Sequence, residues 1–178
     1  ILNWLTNSVP QRIAAFGGNN TFIPENRAIF DEYPAVFDQW EEVLPGNPYL
    51  TEKTIEDNVL AIIEYPTGVR VQFMATMSNP IPERRMYISG TRGNLVLELY
   101  SGRLLFKTLD QSGDPTVEEY PGGGHGGGDE VIMDSLADSI LHGNPPVCSG
   151  REGLLSAVVA LTIDEARRSG AVIDLTER

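Results

Sequence analysis

The residues of this chain best suited to chemistry lie in one stretch, Tyr120-Pro-Gly-Gly-Gly-His-Gly-Gly-Gly-Asp-Glu130, where six glycines surround a histidine and an acidic pair follows. An imidazole titrates near neutrality, so His125 is the candidate for proton transfer or for a hydrogen bond to a hydroxyl. Glycine is costly to order and is used where φ must be positive or where backbone must come close to another group, so Gly124 and Gly126 read as part of a loop built for close approach. Asp129 stands where a helix N-cap is expected, and Val131, Ile132, Leu136, Ile140 and Leu141 recur at helical spacing up to His142 and the stop signal Gly143. The loop is therefore expected to feed a helix N-terminus, whose free N–H groups and partial positive charge suit a phosphate, a carboxylate or polarised hydroxyls.

Two other chemistries are weighed at the same place. Gly122, Gly124 and Gly127 satisfy G-x-G-x-x-G, but a dinucleotide fingerprint sits between a strand and a helix of a βαβ unit, with an acidic residue ending the next strand. The segment after this helix is Asn144-Pro-Pro-Val-Cys-Ser149, a connector and not a strand. A metal would have to rely on His125 with carboxylates such as Asp129, because His142 and Cys148 are the only other histidine and the only cysteine; no metal is expected. The lone cysteine cannot pair within the chain, which agrees with a reducing, cytoplasmic compartment.

Composition narrows the partners. The net charge of −12 sets up a field that repels polyanions, so nucleic acid is not expected. No run approaches the roughly 18 apolar residues that a membrane span needs, and no signal peptide is visible. A length of 178 residues fits one domain with one core. The chain opens on Ile1-Leu-Asn-Trp-Leu5, without methionine and on what reads as the end of an amphipathic helix, so it is expected to be part of a longer protein.

The supporting elements are mostly strands. Gln11–Phe16 reads as a strand closed by Gly17 and Gly18. Asp57–Tyr65 is rich in Val, Leu and Ile, and Pro66-Thr-Gly68 turns it into a second strand in which Val69, Val71, Phe73, Ala75 and Met77 alternate with Arg70, Gln72, Met74, Thr76 and Ser78. Arg85–Ser89, Asn94–Tyr100, Arg103–Leu109 and Thr116–Tyr120 continue the meander. Ser149 and Glu152 are spaced as a capping box for a late helix ending at Gly170, and Val172–Leu175 is a last strand. Between Asn19 and Leu50 no period is visible, yet Phe22, Phe30, Tyr33, Phe37, Trp40 and Tyr49 are too many aromatics for a solvated linker. That region is expected to be an ordered excursion, with Tyr33 and Trp40 as candidates for stacking on a sugar ring. The fold class is α+β: a predominantly antiparallel open sheet of about six or more strands, two late helices on one face, and the other face, bearing Met74, Thr76 and Ser78, free for a subunit or a neighbouring domain.

This order of elements resembles the C-terminal domain of the Gfo/Idh/MocA (glucose-fructose oxidoreductase, inositol dehydrogenase) family of NAD(P)-dependent oxidoreductases. The matching pieces are Asn3-Trp-Leu5, Asp57-Asn58 opening a strand, Ile88-Ser-Gly-Thr-Arg-Gly-Asn-Leu95, Gly124-His-Gly-Gly-Gly-Asp129 and the closing Gly153–Leu175, which together span nearly the whole chain. The resemblance implies that residues 1–178 are the substrate-binding and oligomerisation domain of a longer oxidoreductase acting on a sugar, cyclitol or polyol. The Rossmann domain that binds NAD or NADP is missing, as is the family's Glu-Lys-Pro lysine, so this chain alone is expected neither to bind the cofactor nor to turn over. The resemblance also implies a homo-oligomer formed through the sheet face. His125 matches the histidine of the family's glycine-rich segment at the substrate pocket. Asp129 reads as helix cap before catalytic acid, and Arg84 and Arg85 are candidates for a substrate carboxylate or phosphate. Two other readings stay open: an NAD-dependent glycoside hydrolase of the same fold, and a non-enzymatic dimerising binding module.

Overall fold

Alternating apolar side chains build the sheets of the computed structural model, which describes residues 1–38, 46–120 and 127–176. In chain order the first elements are α1 (Leu2–Thr6), β1 (Arg12–Gly18), α2 (Ala28–Glu32), α3 (Pro34–Asp38), β2 (Asn58–Glu64) and β3 (Arg70–Thr76). They are followed by β4 (Arg85–Gly90), β5 (Gly93–Glu98), β6 (Arg103–Thr108), β7 (Thr116–Glu119), α4 (Gly128–His142), α5 (Gly150–Ser169) and β8 (Ile173–Asp174). The fold is α+β and every strand pair among the described residues is antiparallel, as short connections require for β2–β3, β4–β5, β5–β6 and β6–β7.

The strands form two four-stranded sheets, ordered β3-β2-β1-β8 and β4-β5-β6-β7, where the sequence suggests one continuous meander. The break falls between β3 and β4, at Asn79-Pro-Ile-Pro82. Proline has no N–H to give a ladder, and two of them two residues apart end the hairpin succession. The chain accordingly divides into two compact units, Ile1–Ser78 with Gly150–Arg178, and Asn79–Ser149.

In the first unit Ile13, Ala15, Ala61, Ile63, Tyr65, Ala166 and Ile173 form the buried cluster. Registration explains it: Ile13 lies opposite Ile63 on one side and Ile173 on the other, and Ala15 lies opposite Ala61. All point to the face covered by α5, which buries Thr162 and Ala166 and lays Val159 and Ile163 against the cluster. Gly17 is the point of closest approach. A Cβ there would lie 2.5 Å from the Asn58 carbonyl oxygen and 3.2 Å from Cδ of Arg167 on α5, so only glycine admits both. At the other end of β2 the buried Tyr65 hydroxyl donates to Asn3 Oδ1 at 2.9 Å, tying α1 to this core and giving the Asn3-Trp-Leu5 motif a structural meaning.

The opposite face of this sheet is open. Phe16, Leu60 and Met74 stand in one cross-strand row and Ala14, Ile62 and Gln72 in the next, with Phe16 74%, Ile62 57% and Met74 66% exposed. Arg12, Glu64 and Arg70 close the band at one end; Arg12 Nε donates to Glu64 at 2.8 Å and Arg70 Nε at 3.2 Å. In the second unit, Ile88, Leu95 and Phe106 share a row on the sheet, and Gly90 faces Gly93 across the tight turn at Thr91-Arg92. The helix α4 belongs to this second unit and none of its described residues is buried.

The described parts of the region from Asn19 to Leu50, residues 19–38 and 46–50, pack on one another through their aromatics. Phe22 packs on Tyr49 with ring centres 5.3 Å apart, Tyr49 meets the edge of Phe37 at 5.9 Å, and Phe37 packs on Phe30 at 5.1 Å. The five-residue helices α2 and α3 carry Phe30 and Phe37 and are too short to leave a period in the sequence. Among the described residues no helix is long and apolar enough to cross a membrane.

Candidate functional site

Gly124, His125, Gly126 and Trp40 lie outside the described residues; what the structure gives is the frame around the glycine loop. On its near side β7 ends at Glu119, and the hydroxyl of Tyr120 donates to Glu118 at 2.5 Å. On its far side α4 begins at Gly128. The residue capping it is Gly127 and not Asp129: Gly127 adopts φ 78° and accepts the Val131 N–H at 3.3 Å. A left-handed glycine turns the chain into the helix without a side-chain cap, which moves Asp129 into the first turn beside Glu130. Both carboxylates there complement the positive end of the helix.

Arg84 and Arg85 stand at the start of β4 in the second unit. The Arg84 guanidinium lies 5.9 Å above the ring of Tyr100, over a shallow hollow of about 160 Å³ that Glu83, Glu98 and Ser101 also line. Arg85 approaches Glu98 at 4.0 Å and Glu83 at 3.9 Å, and Glu98 also receives Arg103 at 3.4 Å. An incoming anion would compete there with two carboxylates, whereas a hydroxyl-bearing ligand would find donors and acceptors together. Tyr33 belongs to the first unit. It ends α2, its N–H donating to Ile29 at 3.0 Å, and its side chain is 57% exposed beside the packed rings.

The best-built polar group of the structure was only half legible in the sequence. Asp57 is 3% exposed, and its carboxylate accepts the backbone N–H groups of Asn20 (3.0 Å), Thr21 (2.8 Å) and Phe22 (3.0 Å) together with the Asn58 side-chain amide (2.8 Å). The contact is returned: Asn19 Oδ1 accepts the Asp57 N–H at 2.9 Å, and Asn58 donates to Gly18 and Asn20 at 2.9 Å each. Asp57-Asn58 is visible as a strand opening, but the N–H groups it serves lie more than 30 residues upstream, where nothing in the local pattern marks them.

Burial alone would raise the pKa of Asp57. The hydrogen bonds from Phe22, Asn58, Thr21 and Asn20 outweigh it and hold the carboxyl below the ordinary aspartate range. A depressed folded-state pKa contributes stability that is fully present above the unfolded value of about 3.9 and is lost as pH falls through the folded value. Urea unfolding midpoints between pH 6 and pH 3 are therefore expected to drop steeply below about pH 4, and the drop to be shallower in Asp57→Asn, which has no charge to lose there.

The described residues form no Rossmann-type dinucleotide unit. Helix α4 follows a strand of an antiparallel ladder, and among the described residues no two strands are parallel, so the βαβ crossover that presents a helix N-terminus to a pyrophosphate is not formed. Among the same residues no group of three or more His, Cys, Asp or Glu is placed to hold a metal ion.

Comparisons with known proteins agree with this geometry. Residues 1–96 match the model of the GFO/IDH/MocA C-terminal domain. Over 155 residues the chain is 30% identical to a glycosyl hydrolase family 109 protein of Saccharopolyspora erythraea, covering 77% of this chain and 33% of that one. The fold superposes on an aldose-aldose oxidoreductase from Caulobacter crescentus complexed with glycerol (TM-score 0.67, 20% identity, 98% of this chain, 44% of that one). It also superposes on the WlbA dehydrogenase of Bordetella pertussis in complex with NADH and UDP-GlcNAcA (TM-score 0.60, 17% identity, 98% and 41%). At these identities the likeness to the two solved structures is one of fold, and the chain spans less than half the length of each relative. With residues 1–96 matched and the antiparallel α+β architecture in place, the chain belongs to the GFO/IDH/MocA C-terminal domain family.

Proposed function

We propose that this chain is the substrate-binding and oligomerisation domain of an NAD(P)-dependent oxidoreductase that acts on a sugar, cyclitol or related polyol. Membership of the GFO/IDH/MocA C-terminal domain family carries the reading. The fraction of its relatives that the chain spans supports a second, cofactor-binding domain beyond these residues. NAD or NADP held in that domain would supply the hydride acceptor for oxidation of the carbinol. The work of this chain is binding and proton handling. His125 takes the proton of the reacting hydroxyl on an imidazole nitrogen or orders it by a hydrogen bond, with Gly124 and Gly126 letting the substrate come close to backbone. Tyr33 and Trp40 stack on the ring face, Arg84 and Arg85 receive polar or anionic substituents, and Asp129 steadies the helix behind the loop. The lone Cys148 suits a cytoplasmic protein.

The same reading assigns the open sheet face to a second copy of the chain, because Phe16, Leu60, Ile62 and Met74 form a band with charges at its end, the make-up of a subunit interface. The relative named for glycoside hydrolysis favours one alternative, cleavage of a glycoside with NAD bound throughout.

One experiment separates these readings. The full-length protein is offered aldoses, myo-inositol and nitrophenyl glycosides with NAD or NADP, and reduced cofactor and released phenol are followed together. Stoichiometric NADH or NADPH supports the dehydrogenase. Phenol release without net reduction supports the hydrolase, and the absence of both leaves the binding module.

A further inference from the structure

The Asp57 carboxylate serves a segment distant in sequence, and that segment leads into the aromatic excursion. Three consecutive N–H groups, Asn20, Thr21 and Phe22, converge on it, so the backbone is bent around one buried anion. The bend is fastened again on both sides: the hydroxyls of Thr21 and Ser78 lie 3.3 Å apart, and Asn26 Nδ2 donates to the Thr21 carbonyl at 2.9 Å. From Phe22 the contacts run without a gap through Tyr49, Phe37 and Phe30, and Phe30 lies on α2, the helix that Tyr33 ends. Tyr49 is 4% exposed while Tyr33 is 57% exposed, so the run of ring contacts has a buried member and leads to the helix that the exposed Tyr33 ends. The floor beneath the carboxylate is fixed as well. The neighbouring Glu56 pairs with Arg167 of α5, which is also held by Asp164 at 2.7 Å, and Met77 N–H donates to the Asp57 carbonyl at 2.9 Å.

We infer that Asp57 is a positioning residue: its carboxylate latches the Asn20–Phe22 bend and through the stacked rings sets the place of Tyr33, the phenol proposed to stack on a sugar ring. This rests on the proposed function for the role of Tyr33, but not for the latch. The alternative is that Asp57 merely stabilises the sheet, in which case its loss would be felt along β2 and β3 as much as in the excursion. Local opening and global unfolding leave different exchange patterns, and that difference decides between them.

The test uses the full-length protein with Asp57→Ala, Asp57→Asn and, as a control in the core, Ile63→Val on β2. Amide hydrogen exchange is read by peptide for residues 28–38 and for β2 and β3. The latch predicts that Asp57→Ala speeds exchange in residues 28–38 by about tenfold or more with little change in the strands. Asp57→Asn, which keeps an acceptor, lies between Asp57→Ala and the parent, and Ile63→Val shows no excess in residues 28–38. Exchange that rises equally in strands and excursion, or not at all in the excursion, overturns the latch. Turnover of the fastest substrate from the panel above is read on the same variants. A tenfold rise in KM with kcat within about twofold in Asp57→Ala, partly restored in Asp57→Asn, supports positioning. Faster exchange in residues 28–38 with unchanged KM overturns the assignment of Tyr33 to the site and leaves the latch standing.

Discussion

His125→Ala in the full-length protein is expected to lower kcat by about 10²–10⁴-fold, the range that a positioned acid–base group contributes. The reason is chemical. Removing hydride from a carbinol leaves a developing carbonyl whose hydroxyl proton must go somewhere, and His125 is the one group of the glycine loop that takes up a proton near neutral pH. A loss confined to KM would instead mean a hydrogen bond made equally in ground and transition states. His125→Gln distinguishes the two roles, since an amide donates and accepts but does not shuttle a proton. If proton transfer is the role, the acid limb expected in the kcat profile of the parent disappears in His125→Gln while substrate affinity is kept. If His125→Gln retains full turnover and the same profile, His125 is not the base. Either variant leaves the described core untouched, so a normal unfolding midpoint is the check that the loop alone has changed.

What was legible in the sequence follows from the range of the forces involved. Alternation is local, so β2 and β3, with their turn at Pro66-Thr-Gly68, stand where Val, Ile and Phe at period two put them, and the turn closes through the Gly68 N–H donating to Tyr65 at 2.9 Å. Glycine stops are local too, and Gly143 and Gly170 end α4 and α5 in left-handed geometry as expected. The separation into two sheets is not legible, because pattern specifies strands and not which of them pair; Pro80 and Pro82 mark the break. The cap of α4, Gly127, lies two residues before the Asp129 that the sequence suggests, because in a run of glycines the left-handed one cannot be told from its neighbours by type. In the sequence Asp57 reads only as the opening of a strand, since its partners are set by tertiary contact. Of the candidate site, Arg84 and Arg85 come together at the start of β4, Tyr33 stands in the other unit, and the residues with the most chemistry, around His125, fall outside the described residues.

The second large effect is in the sheet, where neighbouring residues of β2 face opposite ways. Ile63 is fully buried against Ile13, and truncation to alanine there removes apolar area and leaves a cavity under α5, so Ile63→Ala is expected to cost about 2–5 kcal/mol of stability. Ile62, one position back, is 57% exposed on the open face, and in a dilute, monomeric sample Ile62→Ala is expected to cost well under about 1 kcal/mol. The contrast changes with concentration if the open face meets a second copy. A dimer that buries Ile62 adds its association energy to the apparent stability by mass action, so the parent gains stability as concentration rises. Ile62→Ala then falls progressively behind the parent, while the deficit of Ile63→Ala stays nearly constant. Urea unfolding at a series of concentrations, with light scattering for mass, reads both effects in one experiment. Equal costs for the two variants at dilution would overturn the assignment of faces. Parallel behaviour of Ile62→Ala and parent at all concentrations, with a mass that never exceeds the monomer, would leave the apolar band of Phe16, Leu60, Ile62 and Met74 to a partner other than a second copy.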